Sequence, residues 1–511
     1  MAPTRRLAME IHPHGVLPSG NVFTLPAERV RAARTRRDRG LGELAPLEDA
    51  IILNILDHLT RDVEGARTLA SLAKTSKAMR AFASHEDLWK AATLGTYEGR
   101  FSFRKSWFQT YATAAAARRG KDSEGDDDAS RASGKRKRDG DDDKENGVGS
   151  VEDGDLDSVA DVRTEILSDA LHQRYMCAEM ELEPEWLETS TVPEATGEMS
   201  LDEFRERFEK LNLPVVIRGA AKEWPALKKW SRDALTQKFG DVDFVVGGYD
   251  MSLRDFFALS DQGKDDVPLY LFDPKFGEKA PELAEDYAVP DYFGADDLFK
   301  LLGDERPHHR WLIVGPARSG SSFHKDPNAT SAWNAVITGR KKWVMFPPNV
   351  NPPGVHPSAD GADVAQPLSL VEWFSNFYQY AYDGKPSDHP LECTCEPGDV
   401  LFVPSGWWHM AFNLEECVAV TQNFVSRANL RKVLSFLDTK CEVLVSGLSK
   451  SRRGGLGDAF KSAIRASNDA ELASILDAHE RSEEKRSQPS ALGDAFTAAA
   501  GASFSFSFSR D

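Results

Sequence analysis

Apolar positions change their spacing twice along this chain, and the changes divide it. Leu47, Ile51, Ile52, Ile55, Leu56 and Leu59 recur every three or four residues, and Leu69, Leu72, Met79 and Phe82 do so again. That spacing predicts short amphipathic helices closing on Leu88 and Trp89. Phe103, Trp107, Phe108 and Tyr111 are read as completing a small all-α module over residues 44–117. Residues 1–43 are polar and rich in arginine and are expected to form a disordered basic arm. Residues 118–170, mostly Asp, Ser, Gly and Lys, carry too little apolar surface to offset the entropy of ordering, so a flexible acidic linker is expected.

Beyond the linker the apolar runs shorten. The stretches 214–218, 311–314, 333–338, 343–346, 400–403 and 418–421 read as strands separated by Gly and Pro turns, which predicts a mainly β domain over residues 171–430. Helical spacing appears within it at 201–211 and 371–382, and a long loop rich in Pro, Gly and Asp at 349–367. Residues 431–486 return to helical spacing, with Val433, Phe436, Leu437, Phe460, Ile464 and Leu476. The last segment, 487–511, is expected to be a disordered tail, although SFSFSFS at 503–509 has the period of a strand.

A chain of 511 residues with 41% apolar content can hold two or three domains and a sizeable core. The formal charge of −18 argues against nucleic acid as the main partner, although part of it is local: residues 122–157 hold 14 Asp/Glu against 6 Lys/Arg. Five cysteines, an odd number, fit a reducing compartment, and Cys393 and Cys395 lack the second pair that a zinc knuckle needs. The first residues have no apolar signal region, and no apolar run reaches membrane-spanning length, so a soluble intracellular protein is expected. The basic run Lys135-Arg136-Lys137-Arg138 points to the nucleus, with the cytoplasm also open.

Candidate chemistry centres on His324-Lys325-Asp326. In extended chain alternate side chains share a face, so His324 and Asp326 point one way and Lys325 the other. One imidazole and one carboxylate are two thirds of the facial triad that holds a non-haem Fe(II) with positions left open. His409, just past the turn Pro404-Ser405-Gly406, is the candidate for the third donor.

The stretches RWLIVGPARSGSSFHKDPNATSAWNAVITGRKKWVMFPP (310–348) and PGDVLFVPSGWWHMAFNLEECVAVTQNFVS (397–426) resemble the iron- and cosubstrate-binding segments of the Jumonji C (JmjC) family. TSAWNAVITGRKKW and WWHMAFNLEECVAVTQNF are most similar to its branch containing a lysyl hydroxylase once called the phosphatidylserine receptor. The resemblance implies a double-stranded β-helix (cupin/JmjC) with flanking helices, using Fe(II), 2-oxoglutarate and O2. It implies His324, Asp326 and His409 as metal ligands and catalytic residues. It further implies that Lys341 holds the distal carboxylate of the keto acid, with Arg340 and Lys342 turned outward. Ser321 and Thr421 would be hydroxyl donors to that carboxylate, and Tyr270, Asn334 and Asn423 would line the pocket. Ser321 stands where that branch carries threonine.

The implied reaction is hydroxylation of a side chain, lysine foremost, in a protein substrate. Demethylation of a histone or other protein is the same chemistry at an N-methyl carbon, and the lack of a chromatin-reading finger motif favours hydroxylation. LAPLEDAIILNILDHL, SLAKTSKAMRAFA and EDLWK resemble an F-box, whose partner would be the Skp-type adaptor of a cullin ubiquitin ligase. Ala45-Pro46 departs from the usual Leu-Pro opening of that motif. On that basis a non-catalytic adaptor is the rival reading. The C-terminal helices imply a possible homodimer contact.

Overall fold

The computed structural model describes residues 12–118, 164–178, 180–262, 266–439 and 444–487. The basic run at 135–138 and the alternating tail at 503–509 lie outside the described residues.

Strands β1 (Glu194–Thr196), β2 (Val215–Arg218), β3 (Asp243–Val246), β4 (Tyr249–Ser252) and β5 (Leu271–Asp273) precede the central run. That run is β6 (Arg310–Gly315), β7 (Gly320–His324), β8 (Ser331–Thr338) and β9 (Lys341–Phe346). After a small hairpin of β10 (His356–Pro357) and β11 (Val364–Ala365) come β12 (Leu391–Cys395), β13 (Val400–Val403), β14 (Trp408–Asn413) and β15 (Cys417–Phe424). Among the described residues they form a nine-stranded sheet, β1-β2-β13-β8-β15-β6-β5-β3-β4, and a four-stranded sheet, β12-β9-β14-β7. From β6 to β9 and again from β12 to β15 successive strands alternate between the two sheets, as the expected double-stranded β-helix requires.

Alternation along the strands sorts the side chains. Trp333, Ala335 and Ile337 of β8 and Val418 and Val420 of β15 face a helix-covered outer core. Ala332, Val336, Trp343, Met345, Ala411 and Cys417 face inward between the sheets. The β8–β9 turn needs Gly339: its φ is 73°, and a Cβ there would meet the Glu416 carbonyl at 2.2 Å.

The N-terminal half corrects two expectations. The stretch expected to be a disordered arm carries α1 (Ala27–Leu41), which packs with Ala33 and Leu41 buried. Arginine is a good helix former, and Arg37 ties the helix to the next segment by donating to Asp49 and to the carbonyls of Ala45 and Leu47. The end of the expected linker is also ordered: Leu17 and Leu167 form a parallel bridge, flanked by Thr164 N–H to the His14 carbonyl at 2.8 Å. Neither bridging segment has a local pattern, because each finds its partner about 150 residues away along the chain.

Helices α2 (Asp49–Asp57), α3 (Val63–Leu72), α4 (Lys77–Ala83) and α5 (Glu86–Tyr97) come next. Ser76, the residue before α4, caps it through the Met79 N–H. The helical module joins the β domain through a common core: Phe101, Phe103 and Trp107 share one buried cluster with Phe244, Met251 and Phe256. At the seam Gly99 lies so close to the Asp250 carbonyl that a Cβ would sit 1.8 Å from it.

Helix α6 (Leu370–Asn376) covers the outer face of the four-stranded sheet, where Val371, Trp373 and Phe374 meet Phe323, Val344 and Phe412. At the C-terminus α7 (Leu430–Asp438), α8 (Leu456–Ala466) and α9 (Ala470–Ser487) bury Val433, Leu434, Phe460, Ile464 and Leu476 against Leu298, Phe299 and Val425 of the same chain. No helix among the described residues is long and apolar enough to cross a membrane.

Lys342 is turned outward, as expected. It does leave the barrel interior, but the face it joins is covered, and it is fully buried in an ion pair with Glu392 at 2.8 Å. Its ammonium also donates to the Thr189 carbonyl, while Tyr378 and Tyr382 donate to Glu392. Arg340 is exposed and pairs with Glu415, as expected of a residue on the outside.

Candidate active site

His324 ends β7 and His409 lies at the start of β14, and the two residues are direct cross-strand partners. The same pair of strands then slips register, so that Ser321 faces Ala411. In an unbroken strand residues three apart point to opposite faces. The bulge removes that conflict: Phe323 turns outward against Trp373 at 4.8 Å, and Ser321 and His324 both serve the interior.

Each imidazole is fixed by the backbone two residues before it. His324 Nδ1 lies 2.8 Å from the Ser322 carbonyl and His409 Nδ1 lies 3.1 Å from the Trp407 carbonyl. A carbonyl can only accept, so each Nδ1 carries a proton, and Nε2 is the nitrogen whose lone pair the neutral ring offers. Asp326 Oδ2 lies 3.9 Å from His409 Nε2, and the two rings have centroids 4.2 Å apart. One donor atom from each of His324, Asp326 and His409 falls within 4.8 Å of the others. Burial pushes His409 well below the ordinary histidine value, and the neighbouring His324 acts in the same direction, so His409 is neutral and the contact to Asp326 is not an ion pair.

Burial also raises the Asp326 carboxyl to about 6, opposed by His324 and by the amide of Asn423. Asn423 Nδ2 donates to Asp326 Oδ1 at 3.3 Å and to Thr330 Oγ1 at 2.8 Å. Asp326 Oδ2 is buried with no hydrogen-bond partner. Two ring nitrogens and one carboxylate on a common side, with that oxygen unsatisfied, suit a divalent iron with open positions. Lys325 points away from them: its ammonium lies 4.8 Å over the Trp408 ring and donates to the Pro348 carbonyl.

Deeper in the barrel Lys341 is 2% exposed, and no carboxylate among the described residues pairs with it. Asn334 Oδ1 and Asn413 Oδ1 are buried without partners. The Tyr270 hydroxyl lies 3.4 Å from Ser321 Oγ. A buried cation is costly unless an anion meets it, so this end of the cavity fits the distal carboxylate of a keto acid. The Thr421 hydroxyl, expected to serve the same carboxylate, donates here to the Trp333 carbonyl at 2.8 Å. Asn413 does not stand out in the sequence. It lies on the inward face two residues past Ala411 and four past His409, and it donates to Ser319 Oγ at 3.0 Å; that even spacing from His409 is the signal that could have found it.

Among known proteins, the family described as Cupin-like domain matches residues 201–429. The Arabidopsis thaliana protein named arginine-specific demethylase JMJ22 is 43% identical over 485 residues, covering 94% of this chain and 87% of that protein. The Caenorhabditis elegans protein named bifunctional arginine demethylase and lysyl-hydroxylase psr-1 is 40% identical over 246 residues, 46% of this chain and 61% of that one. The human protein named 2-oxoglutarate and iron-dependent oxygenase JMJD4 is 29% identical over 272 residues, 47% of this chain and 63% of that one. With that coverage and the cupin-like barrel, this chain belongs to the JmjC family of oxygenases, which depend on Fe(II), 2-oxoglutarate and O2.

Proposed function

We propose that this oxygenase oxidises a C–H bond on the side chain of a basic residue in a protein substrate. Iron would be held by His324, Asp326 and His409, and the keto acid by Lys341 with Tyr270, Ser321 and Asn334. The observation that carries the reading is the pair of imidazoles whose Nε2 lone pairs are left free beside an unsatisfied carboxylate oxygen. Bound iron and keto acid supply an oxidation that no side chain can perform. The chain's own residues fix the ring tautomers, keep His409 neutral, and offer a buried ammonium to a carboxylate.

Removal of a methyl group from arginine is the outcome favoured by the likeness to JMJ22, which extends through the N-terminal helices as well as the barrel. Lysyl hydroxylation, the outcome expected from the sequence motifs, is the second reading, supported by the double activity in the name of psr-1. Purified protein with Fe(II), ascorbate and 2-oxoglutarate is presented with methyl-arginine and unmodified lysine peptides, and the products are weighed by mass spectrometry. Loss of a methyl supports the first and gain of one oxygen the second; neither product under iron-dependent turnover would defeat both.

For a partner, we propose the Skp-type adaptor expected from the F-box resemblance. Supporting it, α2 buries Ile52 and Leu56 but leaves Ile51 and Ile55 47% and 44% exposed, one turn apart. Co-purification with such an adaptor should be lost in Ile51→Glu/Ile55→Glu, and retention would remove the proposal. Nuclear residence is proposed from the basic run at 135–138 alone.

A further inference from the structure

Strands β5 and β6 have one covered face and one that is not. Leu271, Leu312 and Val314 point into the outer core and are at most 1% exposed. On the opposite face Phe272 is 37% exposed and Trp311 is half-buried. The two rings are stacked, with centroids 5.3 Å apart and planes 16° from parallel. The Tyr270 ring continues the row edge-on, 6.2 Å from Phe272.

This row runs into the site already described. Tyr270 reaches Ser321 through its hydroxyl, and Trp311 is the cross-strand partner of Thr421. Asn423, two residues further along the same face of β15, holds Asp326. Two residues of a strand span about 7 Å, so Trp311 stands across from a position about that far along β15 from the residue that holds Asp326.

We infer that Phe272 and Trp311 seat the cationic side chain that is oxidised, or the basic residue next to it. The inference deepens the proposed function and rests on it for the identity of the substrate. Aromatic faces carry negative electrostatic potential and attract guanidinium and ammonium groups. The chain makes this contact internally, with Arg232 4.6 Å over Phe257 and Lys325 over Trp408. Among the described residues no lysine or arginine covers Phe272 or Trp311. A chain of formal charge −18 also draws a basic segment toward it. An apolar neighbour of the target residue could cover the same rings, but it would not depend on charge.

The test uses the full chain with Fe(II) and 2-oxoglutarate under anaerobic conditions, so that binding is read without turnover. The probe is a labelled peptide alternating arginine and glycine, against an isosteric peptide with citrulline in place of arginine, by fluorescence anisotropy. The arginine peptide is expected to bind about tenfold more tightly. Trp311→Leu should erase that preference and Trp311→Phe should keep most of it, both retaining the iron content of the parent. Equal binding of the two peptides, or a preference that survives in Trp311→Leu, overturns the inference. Charge-dependent binding without any oxidised product would instead overturn the proposed reaction and leave the seat standing.

Discussion

Two groups of histidines are held in this chain, and they are arranged to different ends. His324 and His409 each lean one ring nitrogen on a backbone carbonyl, which aims the other at a shared point beside Asp326. His12, His14, His85 and His172 come from three distant segments and are all at most 8% exposed. Their rings sit 5.9 Å (His12 to His14) and 6.3 Å (His12 to His172) apart, with Tyr175 edge-on to His12 at 5.0 Å. His12 Nδ1 is taken up by the His14 N–H, and His14 Nδ1 and His85 Nε2 are buried without a hydrogen bond. Among the described residues only the triad brings three donors within 4.8 Å. Burial of an imidazole therefore says little about its task; what anchors the second nitrogen decides whether the first can serve a metal.

The contrast is tested first by a graded series. His324→Ala is expected to abolish iron loading and 2-oxoglutarate turnover, a loss of more than about 100-fold. Asn423→Ala removes only the amide on Asp326 and should cost about tenfold in iron affinity, near the low end for such supporting contacts. His85→Gln should leave both measurements at the parent level. Iron content per chain and keto-acid turnover read all three, and loss of iron in His85→Gln would break the distinction.

A smaller effect separates the groups by pH. Burial pushes His12 to about 2 and His14 and His85 to about 4. The charges facing them aggravate this: Arg80 acts on His14, Arg174 and His14 on His85, and His14, His172 and His85 on His12, while Asp87 is engaged by Arg174. Folded values below the unfolded one mean that stability is complete above about pH 6.5 and is lost as the pH falls, because the unfolded chain takes up protons the folded chain refuses. Between pH 7.5 and 5.5 each of the three should cost about 1.4 kcal/mol. Urea midpoints at the two pH values measure it, and the decline should flatten in His12→Gln/His14→Gln/His85→Gln. A midpoint that ignores pH would show that these rings are not held neutral.

Much of the barrel was legible because its signals are local. His324, Asp326 and His409 announce themselves by residue type and framing strands, whereas Lys341 is picked out by the family resemblance. The structure also bears out the cupin-like architecture, and the relatives bear out the oxygenase class. What stayed hidden depends on distant partners. Ser321 joins His324's face only through a bulge, which leaves no mark in the pattern. The burial of Lys342 has no local signal either, because the carbonyl and the glutamate that satisfy it come from Thr189 and Glu392, far away on either side in the chain. Arginine spacing concealed α1, since its buried side is made of small residues such as Ala33.

The bridge between Leu17 and Leu167 ties the start of the helical module to the segment that leads into the barrel. Hydrogen bonds from the Thr164 and Ser168 N–H groups to the His14 and Leu17 carbonyls flank it, so the helices are held to the chain entering the barrel at a second place besides the Gly99–Asp250 seam.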